Sequence, residues 1–296
     1  MQKRNIPNLP PEELSITEED MQGLMEVFHG LTSDNVDLIL HSPGGSAEAT
    51  EAMVYYIRSK FSHVRIIVPH QAMSAATMLA CSADKIIMGK HSFLGPIDPQ
   101  FFVRTQLGGQ AVPAQAVLDQ FDMAKQDCQD PKLLGAWAPI LPQYGPALLI
   151  QCQETLKLSK ELVAKWLTQY MFKNIKDATP AVRAAAVADS LANHTAFKTH
   201  GRPIDRDYAR SLGLDVDDLE KDQKLQDLVL SVFHATTHTF NGTPAVKIIE
   251  NHDGRAFVRS FVIAVPSRPP PPKGGPAPAT PLSPGRGPTK PPVTLL

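Results

Sequence analysis

The pattern of apolar and polar positions indicates alternating strands and helices between about Val36 and Gly89. The short apolar runs VDLILH, VRIIVPH and KIIMG predict buried strands. The segments between them, SAEATEAMVYYIRSKF and SAATMLACSA, place apolar residues three or four positions apart and predict helices. Because the connections are short, we predict right-handed crossover units on a largely parallel sheet, which is an α/β fold.

The segments on both sides of this region have a helical pattern. Before it, ITEEDMQGLMEVFHGL opens with Thr17 and acidic residues and then places apolar residues on one helical face. After it, four segments predict helices: PAQAVLDQFDMAKQ, GPALLIQCQETLKLSKELVAKWLTQYMF, TPAVRAAAVADSLAN and KLQDLVLSVFHATTHTF. We therefore predict an N-terminal helical lead-in over residues 1–33 and a core domain over 34–265, with a helical insertion at about 113–192.

The composition changes near the C-terminus, where SRPPPPKGGPAPATPLSPGRGPTKPPVTLL is rich in proline and has no acidic residue. Such a segment buries too little apolar surface to offset its chain entropy. Residues 266–296 are therefore predicted to form a disordered, partly polyproline tail. The tail is either inert or a ligand for the proline-recognition groove of a partner.

Composition excludes some classes of function. The chain has 296 residues, 43% of them hydrophobic, and carries 29 basic against 30 acidic residues, so nothing in its charge favours nucleic acid as a partner. It has no run of about 18 apolar residues, and we expect no integral membrane segment and a cytoplasmic location. Cys81, Cys128 and Cys152 are far apart and are expected to be reduced thiols. The sequence predicts no cofactor and no metal site, since His234 and His238 lack a third ligand.

Two strand-to-helix connections carry candidate chemistry. In the first, SPGG, the amides of Gly44 and Gly45 are free of side-chain bulk and suit an oxyanion, although such connections also bind phosphate or simply turn. In the second, Ser74 begins an apolar helix among small residues, where serine is often an N-cap. If the two units are neighbours in the sheet, a nucleophile and oxyanion-binding amides lie side by side.

These stretches resemble a known family. LILHSPGGSAEATEAM, VPHQAMSAATMLACSADKIIMG, HSFLGPIDPQ and, further on, HGRPIDRDYARSLGLDV resemble the serine dehydrogenase proteinase family of the Clp protease and crotonase superfamily. The resemblance implies a Clp/crotonase-like spiral of ββα units, here with the helical insertion and C-terminal helices. It also implies a serine peptidase in which Ser74 is the nucleophile and the amides of Gly44 and Ala75 form the oxyanion hole. Gly45 would lie along an extended peptide or protein substrate, and His70 would line the cleft.

The base that activates Ser74 is open among several candidates. The first follows from the resemblance: His200 paired with Asp98, an order of acid and base exchanged relative to the Clp protease and proposed for serine dehydrogenase proteinases. A triad is defined by geometry and not by chain order, so the exchange is admissible.

The other candidates for the base rank lower. Lys125 follows the pattern of signal peptide peptidase A, but Asp122 and Asp127 would keep its ammonium charged if they are close. His70 and His91 are near the serine in sequence and rank last.

Two functions therefore remain open. Clp-type folds begin with an apolar strand that NIPNLPPEELSIT does not supply, which would alter the sheet edge beside Gly44. The chain is either a serine peptidase or a catalytically inactive Clp-fold scaffold that binds peptides; in both cases we expect a homo-oligomer built through the helices. Acyl-CoA chemistry ranks third, because a crotonase would not use the serine.

Overall fold

The computed structural model describes residues 13–105, 108–176 and 179–261. The predicted proline-rich tail, residues 266–296, lies outside the described residues, and so do residues 1–12 of the N-terminal lead-in.

A parallel sheet of four strands forms the centre of the fold. Its strands, in spatial order, are β1 (Asn35–Ile39), β2 (His63–Val68), β4 (Lys85–Met88) and β9 (Val216–Asp218). All neighbouring strands are parallel. Ile66 and Ile86 lie opposite each other and are fully buried, as the continuous apolar runs of a covered parallel sheet require. The predicted parallel sheet and α/β class are confirmed.

A second, smaller sheet stands at the end of the first. It consists of β3 (Gln71–Ala72), β5 (Phe93–Leu94) and β8 (Ile204–Asp205). β5 is parallel to β3 and antiparallel to β8. Each strand has two residues, too few to show a periodic pattern in the sequence.

Three predicted helices share the main apolar core with the parallel sheet: α1 (Asp20–Phe28), α2 (Ala47–Lys60) and α3 (Ala75–Cys81). α2 starts at Ser46, whose hydroxyl accepts a hydrogen bond from the Ala49 amide at 3.0 Å. Every residue of α3 is buried, which explains why this helix is apolar on all sides.

The insertion is helical, as predicted, but it opens with a hairpin that was not predicted. The hairpin pairs β6 (Gln100–Thr105) with β7 (Gly108–Pro113). The helices that follow are α4 (Ala114–Asp127), α5 (Pro131–Trp137), α6 (Leu148–Gln169) and α7 (Pro180–Leu191), with a 3-10 turn at Leu141–Gln143. α4 and α6 share a small apolar cluster of their own, separate from the main core.

The C-terminal part contains the predicted helices and also a hairpin that was not predicted. It contains α8 (His194–Phe197), α9 (Arg206–Ser211), a 3-10 turn at Leu219–Lys221, α10 (Gln223–Gly242) and an antiparallel hairpin of β10 (Ala245–Glu250) and β11 (Ala256–Ser260). The hairpin fixes α1, because the Lys247 ammonium lies 2.7 Å from the buried Asp20 carboxylate. Sequence reasoning missed the hairpin because its pattern is short and half-exposed.

The structure also bears on the expectations for the cysteines and for membrane-spanning segments. Cys81, Cys128 and Cys152 are free thiols, and burial raises the pKa of Cys81 to about 12, which makes it inert. Across the described ranges, none of the helices is both long and apolar enough to span a bilayer.

Candidate active site

Three chain segments meet at one edge of the small sheet. Ala72 of β3 lies opposite Leu94 of β5, and Leu94 lies opposite Ile204 of β8, which runs the other way. The ends of β3 and β5 therefore point to the same edge at which β8 begins. Ser74 follows β3, Asp98 follows β5 and His200 precedes β8, so the topology brings the three segments that carry the predicted triad to one place.

The backbone of Ser74 is strained, and its hydroxyl is not used structurally. Ser74 has φ 52° and ψ −120°, a conformation that a residue with a side chain rarely adopts. Its hydroxyl does not cap α3 and makes no hydrogen bond to any residue that the structure describes. The alternative that Ser74 is an ordinary N-cap is therefore wrong. Such strain persists where the surrounding structure enforces it, and it is concentrated at functional sites.

Gly44 lies directly against Ser74 and Ala75. Gly44 has φ 102°, and a Cβ atom at this position would lie 2.6 Å from the Met73 carbonyl oxygen, 2.7 Å from Ser74 Cβ and 3.1 Å from the Ala75 nitrogen. Only glycine fits this close approach. The backbone of Gly44 thus lies in close contact with the start of α3, next to Ser74 and the amide nitrogen of Ala75.

The Gly44 amide has a partner that sequence reasoning missed. It donates a hydrogen bond to the hydroxyl of Ser42 at 3.1 Å, and Ser42 is 9% exposed. An incoming oxyanion would have to replace the Ser42 hydroxyl as the acceptor of the hydrogen bond from the Gly44 amide. The signal was present in the motif SPGG, whose serine stands two residues before the glycine.

Gly45 contacts the protein's own chain, and its expected place beside an extended substrate stays a prediction. A Cβ atom on Gly45 would lie 2.3 Å from the Ile16 carbonyl oxygen. Ile16 donates its amide to the Gly44 carbonyl at 2.7 Å, and its own carbonyl accepts from the Ser46 amide at 2.9 Å. This bridge occupies the edge of the loop on the Ile16 side, so Gly45 allows close backbone packing there.

Asp98 is bonded by two imidazoles. Its carboxylate is 1% exposed; Oδ1 lies 2.8 Å from His200 Nδ1 and Oδ2 lies 3.1 Å from His194 Nδ1. A buried carboxylate needs such partners, because an unpaired charge away from water is costly. Each ring turns Nδ1 to the carboxylate and leaves Nε2 for other partners. The side chain of His200 is 24% exposed and that of His194 is 15% exposed.

His194 was missed by sequence reasoning. It opens the four-residue helix α8, whose cap is Asn193, a residue that accepts the Ala196 amide at 3.0 Å. The only signal was a second histidine shortly before His200 in the stretch ANHTAFKTH. Its partner Asp98 is 96 positions away, a separation that no local pattern reveals.

The contact between Ser74 and His200 is not closed in this structure, because the Ser74 hydroxyl has no hydrogen-bond partner among the described residues. Catalytic hydrogen bonds are often long without substrate and tighten in the complex. The hydrogen bond between Asp98 and His200 is therefore formed, whereas a hydrogen bond between His200 and the Ser74 hydroxyl is not.

The structure contradicts Lys125 as the base. Its ammonium pairs with the Asp122 carboxylate at 2.5 Å on the surface of α4, and both side chains are 62% exposed.

The remaining histidine candidates lack a carboxylate. His91 is exposed in a turn. His70 packs against His41, Phe93 and Phe233, with ring centroids 5.5, 5.3 and 6.0 Å away. Burial is the main cause that lowers the pKa of His70, which weakens it as a base. His70 is therefore part of an aromatic cluster. Its expected place in the wall of the substrate cleft stays a prediction.

Within the part of the chain that is described, no group of three His, Cys, Asp or Glu residues is placed to hold a metal ion.

Residues 15–136 match the family model described as ClpP-like SDH-type serine proteinase. The match includes Gly44, Ser74 and Asp98 and ends before His194 and His200. The resemblance stated from the sequence and its ClpP-like fold class are therefore confirmed.

Individual relatives were also found. Two uncharacterized proteins of Methanocaldococcus jannaschii, MJ0137 and MJ1495, are 30% identical over 203 residues and 27% identical over 202 residues. Each alignment covers 68% of this chain, and the chain spans 60% and 59% of the length of these relatives. A solved structure of a membrane-bound stomatin-specific protease shares 16% sequence identity and a TM-score of 0.39, over 69% of this chain and 74% of that one.

Proposed function

We propose that the protein is a serine peptidase, because residues 15–136 match the family model described as ClpP-like SDH-type serine proteinase. The observation that carries the proposal is the conformation of Ser74, with φ 52° and a hydroxyl that caps nothing, against Gly44 and Ala75. An ordinary helix start would neither hold serine in this conformation nor leave its hydroxyl unused.

In the proposed reaction, His200 takes the proton of Ser74 as the serine attacks the carbonyl of a peptide or protein substrate. Asp98 accepts a hydrogen bond from Nδ1–H of His200 at 2.8 Å, which favours the tautomer with a lone pair on Nε2. The same carboxylate stabilises the imidazolium that forms. His200 then returns the proton to the leaving amine, and water hydrolyses the acyl-enzyme.

The amides of Gly44 and Ala75 stabilise the oxyanion of the tetrahedral intermediate. In the resting protein the Gly44 amide donates to Ser42, so this hydrogen bond is exchanged for one to the oxyanion. One such donor typically lowers the barrier by about 3 to 4 kcal/mol. The Ser42 hydroxyl keeps the buried amide satisfied between turnovers.

A fluorophosphonate probe tests this proposal, because it reacts with an activated serine. We expect one labelled site in the wild-type protein, located by peptide mass spectrometry at Ser74, and no label in Ser74→Ala. The matched control is Ser82→Ala at the other end of α3, where the hydroxyl donates to the Leu79 carbonyl at 2.7 Å. Label on Ser82→Ala is expected to equal wild type. An unlabelled wild type, or equal labelling of Ser74→Ala, would show that the protein is not a serine peptidase of this kind.

One observation favours a second candidate, a catalytically inactive scaffold that binds peptides and assembles into a homo-oligomer. The Ser74 hydroxyl is not hydrogen-bonded to His200, and Phe102 on the β6–β7 hairpin is 70% exposed and offers an apolar contact. This candidate predicts that the wild type is unlabelled and that its mass by light scattering is a multiple of the chain. It further predicts that Phe102→Ser reduces that mass while Ser74→Ala does not.

A further inference from the structure

Asp98 makes the same type of contact on both of its oxygens, whereas a triad needs only one. His200 Nδ1 lies 2.8 Å from Oδ1, and His194 Nδ1 lies 3.1 Å from Oδ2. The second contact has no place in the reaction proposed above. We propose that His194 is a positioning residue of this site: it holds Oδ2 so that Oδ1 keeps the Nδ1–H of His200 and directs its Nε2 toward Ser74. This inference rests on the proposed peptidase function.

The backbone around Asp98 is fixed independently of the histidines. The Ile97 amide donates to the Leu191 carbonyl at 3.0 Å, and the Pro99 carbonyl accepts from the Ala114 amide at 2.9 Å. The backbone is thus held on both sides of Asp98, and its carboxylate can still rotate. With 1% exposure, water does not reach that group to replace a lost partner. Two imidazoles on the two oxygens therefore remove the rotation that would take Oδ1 away from His200.

His194 is itself fixed by its short helix. Its amide donates to the Ala192 carbonyl at 2.9 Å, and its carbonyl accepts from the Lys198 amide at 2.7 Å. The helix is anchored by Phe197, which is 1% exposed. Because donor and acceptor are both attached to fixed backbone, the contact between His194 and Asp98 is preorganised.

The geometry assigns the base role to His200 and the positioning role to His194. His200 makes the shorter bond to Asp98 and is the more exposed of the two rings, and it lies four residues before β8, whose start shares an edge with the end of β3. A positioning residue acts on the rate of the chemical step and not on the affinity for the probe. This difference separates the two roles in an experiment.

The experiment measures fluorophosphonate labelling of the full chain over a range of probe concentrations, which yields kinact and KI. In His194→Ala we expect kinact to fall about 10- to 100-fold with KI unchanged, because Oδ2 loses its donor and the carboxylate turns. His194→Asn is expected to restore most of the lost rate, since its amide nitrogen takes the place of Nδ1. The matched control is His252→Ala, whose imidazole lies 3.5 Å from Asp253 but is 79% exposed. This control is expected to label at the wild-type rate.

Several results would overturn the assignment. Wild-type kinact in His194→Ala would show that the contact does not position Asp98. A loss as complete as that in His200→Ala, without rescue by His194→Asn, would make His194 the base. Thermal unfolding of each variant shows whether a fall in kinact comes from misfolding. If His194→Ala misfolds, the kinact of His194→Asn, which keeps a hydrogen-bond donor to Oδ2, decides between the two roles.

A second measurement separates this inference from the proposed function. Low-field proton resonances of imidazole Nδ1–H groups report hydrogen bonds to a carboxylate. We expect two such resonances in the wild type, both lost in Asp98→Ala and one lost in His194→Asn. If wild type is not labelled but both resonances are present, the peptidase proposal fails while the double contact stands. If only one resonance is present, the positioning role fails whatever the labelling shows.

Discussion

Two pairs of histidines in this fold have opposite surroundings. His194 and His200 share the buried carboxylate of Asp98. His41 follows β1 and His70 follows β2, and their rings lie 5.5 Å apart with Phe233 beside them. The Nδ1 atoms of His41 and His70 are buried and have no partner among the described residues.

The difference between the pairs is the carboxylate. Burial, followed by the charge of neighbouring groups such as His70, lowers the pKa of His41 to about 3, so that His41 is neutral under ordinary conditions. A neutral imidazole in an apolar cluster fills space and gains little by accepting a proton. An imidazole on a carboxylate has a fixed tautomer and a stabilised charged form. Position at a strand end therefore does not make a histidine a base, and the buried acid does.

Removing the carboxylate charge should have the largest effect. In Asp98→Asn we expect fluorophosphonate labelling of Ser74 to slow on the order of 10³- to 10⁴-fold, because the amide donates to the ring and stabilises the wrong tautomer of His200. Asp122→Asn is the control, since its carboxylate pairs with Lys125 at the surface of α4. Equal labelling of the two variants would mean that Asp98 is not part of the catalytic machinery.

The sequence predicted the part of this site that depends on local pattern. β1, β2, β4 and the helices after them follow from apolar runs and helical spacing, and the closeness of Gly44 to Ser74 follows from two neighbouring crossover units. The residue resemblance then supplied the Asp98 and His200 pair, which the structure joins at 2.8 Å.

The rest depends on contacts between distant segments. The sheet of β3, β5 and β8 has strands of two residues, and the contact of His194 with Asp98 spans 96 positions. The contact of Ile16 with Gly45 is backbone only and leaves no side-chain pattern. Lys125 follows from the pattern of signal peptide peptidase A and its distance along the chain from Ser74, and neither carries information about exposure.

A substitution at Gly44 disturbs the serine side of the site while both histidine pairs keep their side chains. In Gly44→Ala the new methyl group would meet the Met73 carbonyl oxygen at 2.6 Å, at a position that already has φ 102°. We expect a loss of about 3 kcal/mol in the free energy of unfolding and no labelling of Ser74. Gly254→Ala is matched, with φ 81° but no atom within 4 Å of a Cβ atom.

The control isolates the cost of the backbone conformation, about 1 kcal/mol. Urea unfolding measures both variants. If Gly44→Ala and Gly254→Ala lose the same free energy of unfolding, a methyl group on Gly44 does not clash with Met73 and Ser74.

The histidine pair without a carboxylate should appear as a pH dependence of stability. The pKa of His41 is lowered from 6.5 to about 3 on folding, so the unfolded chain takes up a proton below pH 6.5 that the folded chain refuses. The contribution of neutral His41 is present above pH 6.5 and is lost as the pH falls toward 3. Between pH 6.5 and pH 5 the loss is about 2 kcal/mol.

Urea unfolding at pH 7 and pH 5 checks this dependence. In His41→Gln, which does not titrate, the difference between the two pH values should shrink by that amount. His252→Gln, at an exposed histidine, should leave the difference unchanged. An unchanged difference in His41→Gln would mean that the ring is protonated in the folded protein.

The smallest effect distinguishes two serines that begin neighbouring helices. Ser46 has φ −71° and accepts the Ala49 amide, whereas Ser74 has φ 52° and caps nothing. Ser46→Ala should therefore cost about 1 kcal/mol, and Ser74→Ala should cost almost nothing. Because glycine adopts a positive φ without strain, Ser74→Gly should be about 1 kcal/mol more stable than Ser74→Ala, whereas Ser46→Gly gains nothing of the kind. Urea unfolding of the four variants measures this, and equal stability of Ser74→Gly and Ser74→Ala would mean that the serine stores no strain.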